Sequence, residues 1–442
     1  MAISLTTPSA IPSRPTAFLN ARLVDPESGY DGPGALIIAE GVIVDVARRP
    51  GLENLSQDVR AIDCNGAMLA PGLIDLRAKT GEPGAEPKET LKSAARAAAA
   101  GGVTSIVVQP DTDPAIDGPA MVDFILRRAR DIDLVHVYPA GAATQGCRGE
   151  KMTEIGLMRE AGAVYFTDGD HTLVNSKVLR RILSYAKAFD TLVAHRPVDT
   201  HLSAGTCVTE GEFAARAGLS AAPAIAERIL LERDLALAEL TGARLMVDQI
   251  TTADALESLQ RAQSRGVRAI ATASINHLSF NELDTGAYRT FFRLDPPLRS
   301  ESDRQALIDA VSSGLAPIIV SAHNPLPAED KRLPFSEASP GAVGLETWLP
   351  ALLQLHHDGR VRLIDLMRAV TLAPAEALGL QTGRLSPGAP ADLVLCDLGA
   401  PLVVDADRLI SKSKNSPFDG RRLQGQVIMT LVDGRIVHHI RD

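Results

Sequence analysis

Two rhythms of hydrophobic and polar residues run along this chain. Near both ends, apolar and polar residues alternate over short runs broken by turn residues. "AFLNARLVD" (17–25), "GALIIAEGVIVDVA" (34–47) and "DVRAIDCNGAML" (58–69) set the pattern, and "ADLVLCDL" (391–398) and "QVIMTLVDGRIVHHI" (426–440) repeat it. A period of two predicts half-buried strands, and Asp433-Gly434 reads as a hairpin turn. Between these ends the rhythm changes. Short apolar runs, "MLAPGLIDL", "TSIVVQP", "LVHVYPA", "AVYFTD", "TLVAH", "RLMVDQITT", "RAIATAS" and "PIIVSAH", alternate with stretches of helical period such as "KETLKSAARAAAAGG", "NSKVLRRILSYAKAFD" and "ADALESLQRAQSRG". Several helical stretches stop at Gly, the usual C-terminal signal.

Eight strands with intervening helices predict an α/β fold, a (β/α)8 TIM barrel over 71–383. The two β-rich ends, 1–70 and 384–442, are expected to build one accessory β-sandwich domain together. A doubly wound open sheet is the alternative; no G-x-G-x-x-G follows the first strand to support it.

Composition narrows the class. The chain has 442 residues, 45% hydrophobic and 22% charged, as expected of a globular protein with a large core. A net charge of −9 argues against nucleic acid or an anionic membrane as main partner. No run of about 18 apolar residues spans a bilayer, and "MAISLTTPSAIPSRP" lacks the basic start and apolar stretch of a signal peptide. Cys64, Cys147, Cys207 and Cys396 are scattered without C-x-x-C spacing, so they read as reduced thiols in a cytoplasmic protein.

In a barrel of this kind, chemistry belongs at the C-terminal ends of the strands. Those ends carry Asp75-Leu76-Arg77-Ala78-Lys79, Gln109-Pro110-Asp111, Asp168-Gly169, His195, Gln249, Ser274 to His277, and Ala322-His323. A binuclear zinc site needs roughly five or six histidines and carboxylates there, plus an acid to take a proton from bound water. Asp168 and His195 are plausible ligands; His277 and His323 have no clear second ligand beside them. His356-His357 and His438-His439 read as a helix end and a terminal strand. The long aperiodic stretch 272–299 is expected to be a lid or a partner-facing surface.

"PGLIDL", "EPG", "AAAAGGVTSIVVQPDTDP", "FTDG", "RLDPPLR", "PFSEASPGAVGLET", "GRLSPGAPADLVL" and "SKSKNSPF" occur in an order and at spacings that make the chain resemble dihydroorotases of the amidohydrolase superfamily over almost its whole length. The resemblance implies a role in pyrimidine biosynthesis and, in active members, a zinc-dependent cyclic amide hydrolase. Residue by residue it also implies losses. The two metal-binding histidines of D-x-H-x-H fall on Arg77 and Lys79, and a third falls on Gln249. The catalytic aspartate falls on Ala322, with His323 kept beside it. The substrate arginine falls on Gly81, and the two substrate asparagines on Asp111 and Asp295. The metal positions at Asp168 and His195 are retained, and Asn276 is a further pocket candidate.

The family includes a metal-site-degenerate branch, pseudo-dihydroorotases that associate with aspartate transcarbamoylase as noncatalytic subunits. This sequence resembles that branch. The expectation is therefore no catalytic residue, no metal cofactor, and a homo- or hetero-oligomer with the transcarbamoylase; an active enzyme using Zn2+ at Asp168 and His195 is the alternative. A third option is an emptied pocket that takes an anion through Arg77 and Lys79. At about 4 Å, a unit positive charge repels a dication by roughly 8 kcal/mol at an effective dielectric near 20. Arg77 or Lys79 is accordingly expected to fill the vacated metal volume and neutralise Asp168. The competing expectation is that both cations face solvent and Asp168 caps a helix near Val174.

Overall fold

The computed structural model describes residues 14–51 and 58–440. Strands from both ends of the chain meet in one eight-stranded sheet. Thr16–Asp25 pairs antiparallel with Tyr30–Ala39 and parallel with Met68–Pro71, which in turn lies antiparallel to Leu393–Val403. Arg422–Val432 and Arg435–His439 extend that side. Along Arg422–Val432, burial alternates residue by residue before the strand enters the core, the period-two signature seen in the sequence. Phe18, Leu36, Leu69, Leu393 and Leu431 gather in one cluster on the sheet's inner side. The expected sandwich is thus a single hydrogen-bonded path folded around its own apolar face.

The middle of the chain forms parallel strands in sequence order. Leu73–Ala78, Val103–Val108 and His136–Pro139 make one sheet, while Gly141–Ala142, Phe166–Thr167, Leu192–His195, Arg244–Val247, Ala269–Ser274 and Ile318–Val320 make another. Ala140 alone separates His136–Pro139 from Gly141–Ala142, and a parallel bridge between Ala78 and His323 brings the last strand end back to the first. Leu73–Ala78 and Val103–Val108 are buried at every residue, as strands covered on both faces must be. Helices follow most strands, among them Leu91–Ala100, Ser176–Lys187, Ile225–Thr241, Ala253–Ser264 and Glu301–Ser313. Thr90, Asn175 and Ser300 cap three of their N-termini, and Gly242 and Gly314 close two C-termini in left-handed conformation.

The run "MLAPGLIDL" divides at Gly72. Met68–Pro71 belongs to the terminal sheet and Leu73–Ala78 to the parallel strands. At Gly72 the backbone presses on the neighbouring strand: a Cβ there would lie 2.1 Å from Thr104 Cγ2. The two parts share one core, since Val24, Met68, Val394 and Val427 cluster with Leu91, Val103 and Trp348. The four cysteines are free and buried. Among the described residues, no helix is long and apolar enough to cross a membrane.

Candidate functional site

Arg77 is the second-last residue of Leu73–Ala78, and its side chain points into the ring of strand ends. Its Nε donates to Asp248 at 2.7 Å, just past Arg244–Val247, and one terminal nitrogen donates to Asp170 at 2.5 Å, just past Phe166–Thr167. Lys79, one residue beyond the strand, donates to Asp111 at 2.5 Å and also to Asp170. Arg196 continues the chain of charges, with Asp295 at 2.9 Å and Asp170 at 3.8 Å. Three cations and four carboxylates thus form one network across five strand ends.

Burial works against the Arg77 charge, but Asp248 and Asp170 outweigh it and hold its pKa well above the ordinary value. Burial likewise opposes the charge on Lys79, and Asp170 and Asp111 more than restore it. Burial would push Asp170 up, yet Lys79, Arg77 and Arg196 keep its carboxyl well below the usual range. Each of the three cations thus lies against at least two carboxylates of the network. The third option, an anion drawn by Arg77 and Lys79, therefore has these carboxylates to compete with.

Arg77 and Lys79 were expected to neutralise Asp168; their partners are Asp170, Asp248 and Asp111 instead. Asp168 is buried and turned away, both carboxylate oxygens accepting from Thr144, one from the main-chain N–H at 2.8 Å and one from the hydroxyl. Burial raises its pKa, and the Thr144 hydrogen bonds partly offset this. Nor does Asp168 cap the following helix, which begins at Ser176 with Asn175 as its cap. His195 has both ring nitrogens engaged: Nδ1–H donates to Asp234 at 2.5 Å, and Nε2 accepts the Leu173 N–H at 2.8 Å.

The remaining predicted residues fall around this centre. Asp75, fully buried, accepts from Ser321 and from the Arg77 N–H, and burial lifts its pKa to about 6 against those hydrogen bonds. Gln249 and Ala322 hold left-handed backbone, with φ of 56° and 52°, and Gln249 Nε2 has no partner. His323 accepts the Gly344 N–H on Nδ1, and its Nε2 lies 3.7 Å from the buried Glu89 carboxylate. His277 Nε2 lies 3.3 Å from the Pro297 carbonyl, and Asn276 is buried in the short helix Ile275–Ser279. Gly81 sits where no side chain fits, since a Cβ would stand 1.9 Å from the Ala85 carbonyl oxygen. The stretch 272–299 holds short helical turns and is anchored by Phe280 against Phe292 and Phe418.

Sequence reasoning missed Asp170, Asp248, Arg196 and Asp234. Asp170 follows Gly169 and Asp248 precedes Gln249, so their place at a strand end was an available signal.

A binuclear zinc centre does not fit these residues. Arg77 and Lys79 stand where the resemblance puts two of its histidines, the His195 Nε2 lone pair is taken by a main-chain N–H, and both Asp168 oxygens are committed to Thr144. Among the described residues, the group of metal-ligating types close enough to share an ion is His136, Asp392 and Asp433. It lies at the opposite, N-terminal end of strand His136–Pro139.

Residues 66–255 match a family model described as dihydro-orotase-like, and residues 343–438 match one described as amidohydrolase family. A dihydroorotase of Syntrophus aciditrophicus is 38% identical over 94% of this chain and 97% of its own. A dihydroorotase-like protein of Pseudomonas aeruginosa is 39% identical over 95% and 98%. The chain belongs to the dihydroorotase family. Among solved structures, the L-hydantoinase (dihydropyrimidinase) of Arthrobacter aurescens superposes with a TM-score of 0.85, at 24% identity over 97% of this chain and 96% of that one. The dihydropyrimidinase of Brevibacillus agri NCHU1002 gives 0.82 at 20% identity, over 96% and 95%. At these identities the two structures speak to the fold.

Proposed function

We propose that this chain is a dihydroorotase-like protein of de novo pyrimidine biosynthesis that has no hydrolytic chemistry of its own and associates with aspartate transcarbamoylase as a structural subunit. On this reading the parallel ring is a (β/α)8 barrel, the terminal sheet is its accessory domain, and the protein works in the cytoplasm as part of a homo- or hetero-oligomer. One observation carries the proposal: Arg77 is buried between Asp248 and Asp170 at the strand ends where dihydroorotases hold metal. Putting a dication there would require removing a guanidinium that two carboxylates hold. The acid that would move the proton is replaced by Ala322, which has no titratable group. Gln249 and Ala322 keep left-handed backbone, a strain of roughly 1–2 kcal/mol each for L residues. Such strain clusters at active sites, so these ends read as a site whose frame persisted after its ligands changed.

A second reading is an active dihydroorotase with a reduced zinc site. It is favoured by the retained Asp168 and His195 and by relatives that bear the name dihydroorotase. It would need the His195 ring to give up the Leu173 N–H. Metal content and carbamoyl aspartate cyclisation, measured on one preparation, separate the two. The proposal expects far less than one zinc per chain, no turnover above background, and co-purification with aspartate transcarbamoylase on co-expression. Stoichiometric zinc with turnover lost in His195→Ala, or a chain that never associates with the transcarbamoylase or alters its activity, would overturn it.

A further inference from the structure

A cavity of about 370 Å³ opens beside the ionic network. Three arginines stand on its wall, Arg196, Arg293 and Arg299, against two carboxylates, Asp170 and Asp295. Arg299 has its own partner, Glu227, at 3.2 Å. Arg196 takes Asp295, and Asp170 is shared among Arg77, Lys79 and Arg196. Arg293 is left over. Among the described residues no carboxylate lies within ion-pair distance of it; it donates to the main-chain carbonyls of Thr206 at 3.0 Å, Leu294 at 3.2 Å and Cys207 at 3.5 Å. Its Nε has no partner at all.

A second cation deepens the imbalance. Lys331 is 5% exposed, and its Nζ donates to the carbonyls of Ser339, Thr290 and Arg293 at 2.8, 3.0 and 3.1 Å. Neutral carbonyls satisfy the hydrogen bonds of both cations without cancelling either charge. Burial lowers the Arg293 pKa, which Asp295 only partly offsets from beyond ion-pair distance, and burial together with Arg293 brings Lys331 down to about 7 against a weaker pull from Asp330. Buried charges with no carboxylate in direct contact are costly, and a planar guanidinium is the group best shaped for a two-oxygen anion.

We propose that this cavity binds a small oxyanion, a carboxylate or a phosphate, with Arg293 as its charged anchor. Ser336, an exposed residue, lines the same cavity, so an acidic side chain placed there adds a negative charge that competes with an incoming anion. The site stands on its charge distribution alone and does not depend on whether the chain is catalytic or on its association with another enzyme.

The test is calorimetric titration of the full chain with inorganic phosphate and, separately, with malonate, at constant ionic strength set by chloride. Saturable binding of one anion per chain is expected. Binding of phosphate alone would mark a phosphorylated ligand; binding of malonate alone or of both would mark a carboxylate. Arg293→Met should weaken binding at least tenfold. Because Arg293 also holds three carbonyls, Ser336→Asp serves as the variant that keeps the fold, and it should weaken binding at least tenfold as well. Arg216→Gln, at an exposed surface pair with Glu212, should bind as the wild type does. No saturable heat with either anion, or undiminished binding in Ser336→Asp, overturns the proposal. Metal content and cyclisation are read separately, so this result leaves the functional reading to its own test.

Discussion

At the scale of single residues, Arg77 shows how one substitution is accommodated. Its side chain is 4% exposed and its partner Asp248 is 5% exposed, so their attraction is little screened by water. A buried pair of this kind adds little net stability relative to an apolar pair, but removing one partner strands the other. Asp248→Asn is therefore expected to lower unfolding free energy by roughly 3 kcal/mol, read from urea midpoints. A loss under about 1 kcal/mol would mean that Arg77 finds water or Asp170 enough. His277 makes a different residue-scale prediction. Burial, reinforced by Arg299, lowers its pKa to about 4. An unfolded histidine titrates near 6.5, so between pH 6.5 and 4 the unfolded chain binds more protons than the folded one. Stability attributable to His277 is intact above pH 6.5 and falls as pH drops toward 4, by roughly 3 kcal/mol in all. Denaturation curves from pH 7 to 4 should show this loss in the wild type and lack it in His277→Gln; parallel curves would contradict it.

At the scale of elements, the strands and helices were legible because their signals are local. A run such as "TSIVVQP" is apolar throughout, and Thr90, Asn175 and Ser300 stand where a cap must stand. The charge network was not legible for the opposite reason. Arg77 meets Asp248 and Asp170 at separations of 171 and 93 residues, and only closure of the strand ring brings them together. The sequence placed cations and acids on the same strand ends, yet Asp168 and Asp170 are both acidic and two residues apart. Nothing in the letters says which one faces inward. The loop after the first strand carries a further constraint. Gly81 stands where the resemblance puts the family's substrate arginine, but a Cβ there would run into the Ala85 and Glu89 carbonyls. Gly81→Arg would have to move that loop off Glu82, which accepts the Leu91 N–H at the head of helix Leu91–Ala100. The expected outcome is a loss of a few kcal/mol, in the range of overpacking and backbone strain, with no gain of dihydroorotate binding. A variant as stable as the wild type that binds dihydroorotate would show the loop to be adaptable.

At the scale of the whole molecule, the question is whether the terminal sheet and the strand ring unfold together. Their cores are continuous: Val394 and Val427 of the sheet belong to the cluster that holds Leu91, Val103 and Trp348. The approach is close enough that at two glycines, both with positive φ, a side chain would have to displace a neighbour across the seam. A Cβ at Gly102 would lie 2.7 Å from Val394 Cγ2, and one at Gly425 would lie 2.4 Å from Leu353 Cδ1. An ion pair of Arg435 with Asp133 and a hydrogen bond between His136 and Asp392 add a second fastening, each joining the sheet to the helix or strand beneath it. Trp348, the chain's one tryptophan, opens helix Trp348–His357 and is fully buried. Leu353 of that helix faces Gly425 of the sheet, so the indole reports on packing at the seam. If the shared core makes the parts one cooperative unit, Trp348 emission and far-ultraviolet circular dichroism will trace the same urea transition. Gly425→Val, which wedges a side chain into the seam, will then shift both probes to lower urea by equal amounts. Two separated transitions in the wild type, or a shift of one probe alone in the variant, would instead make the sheet an independent domain docked on the ring.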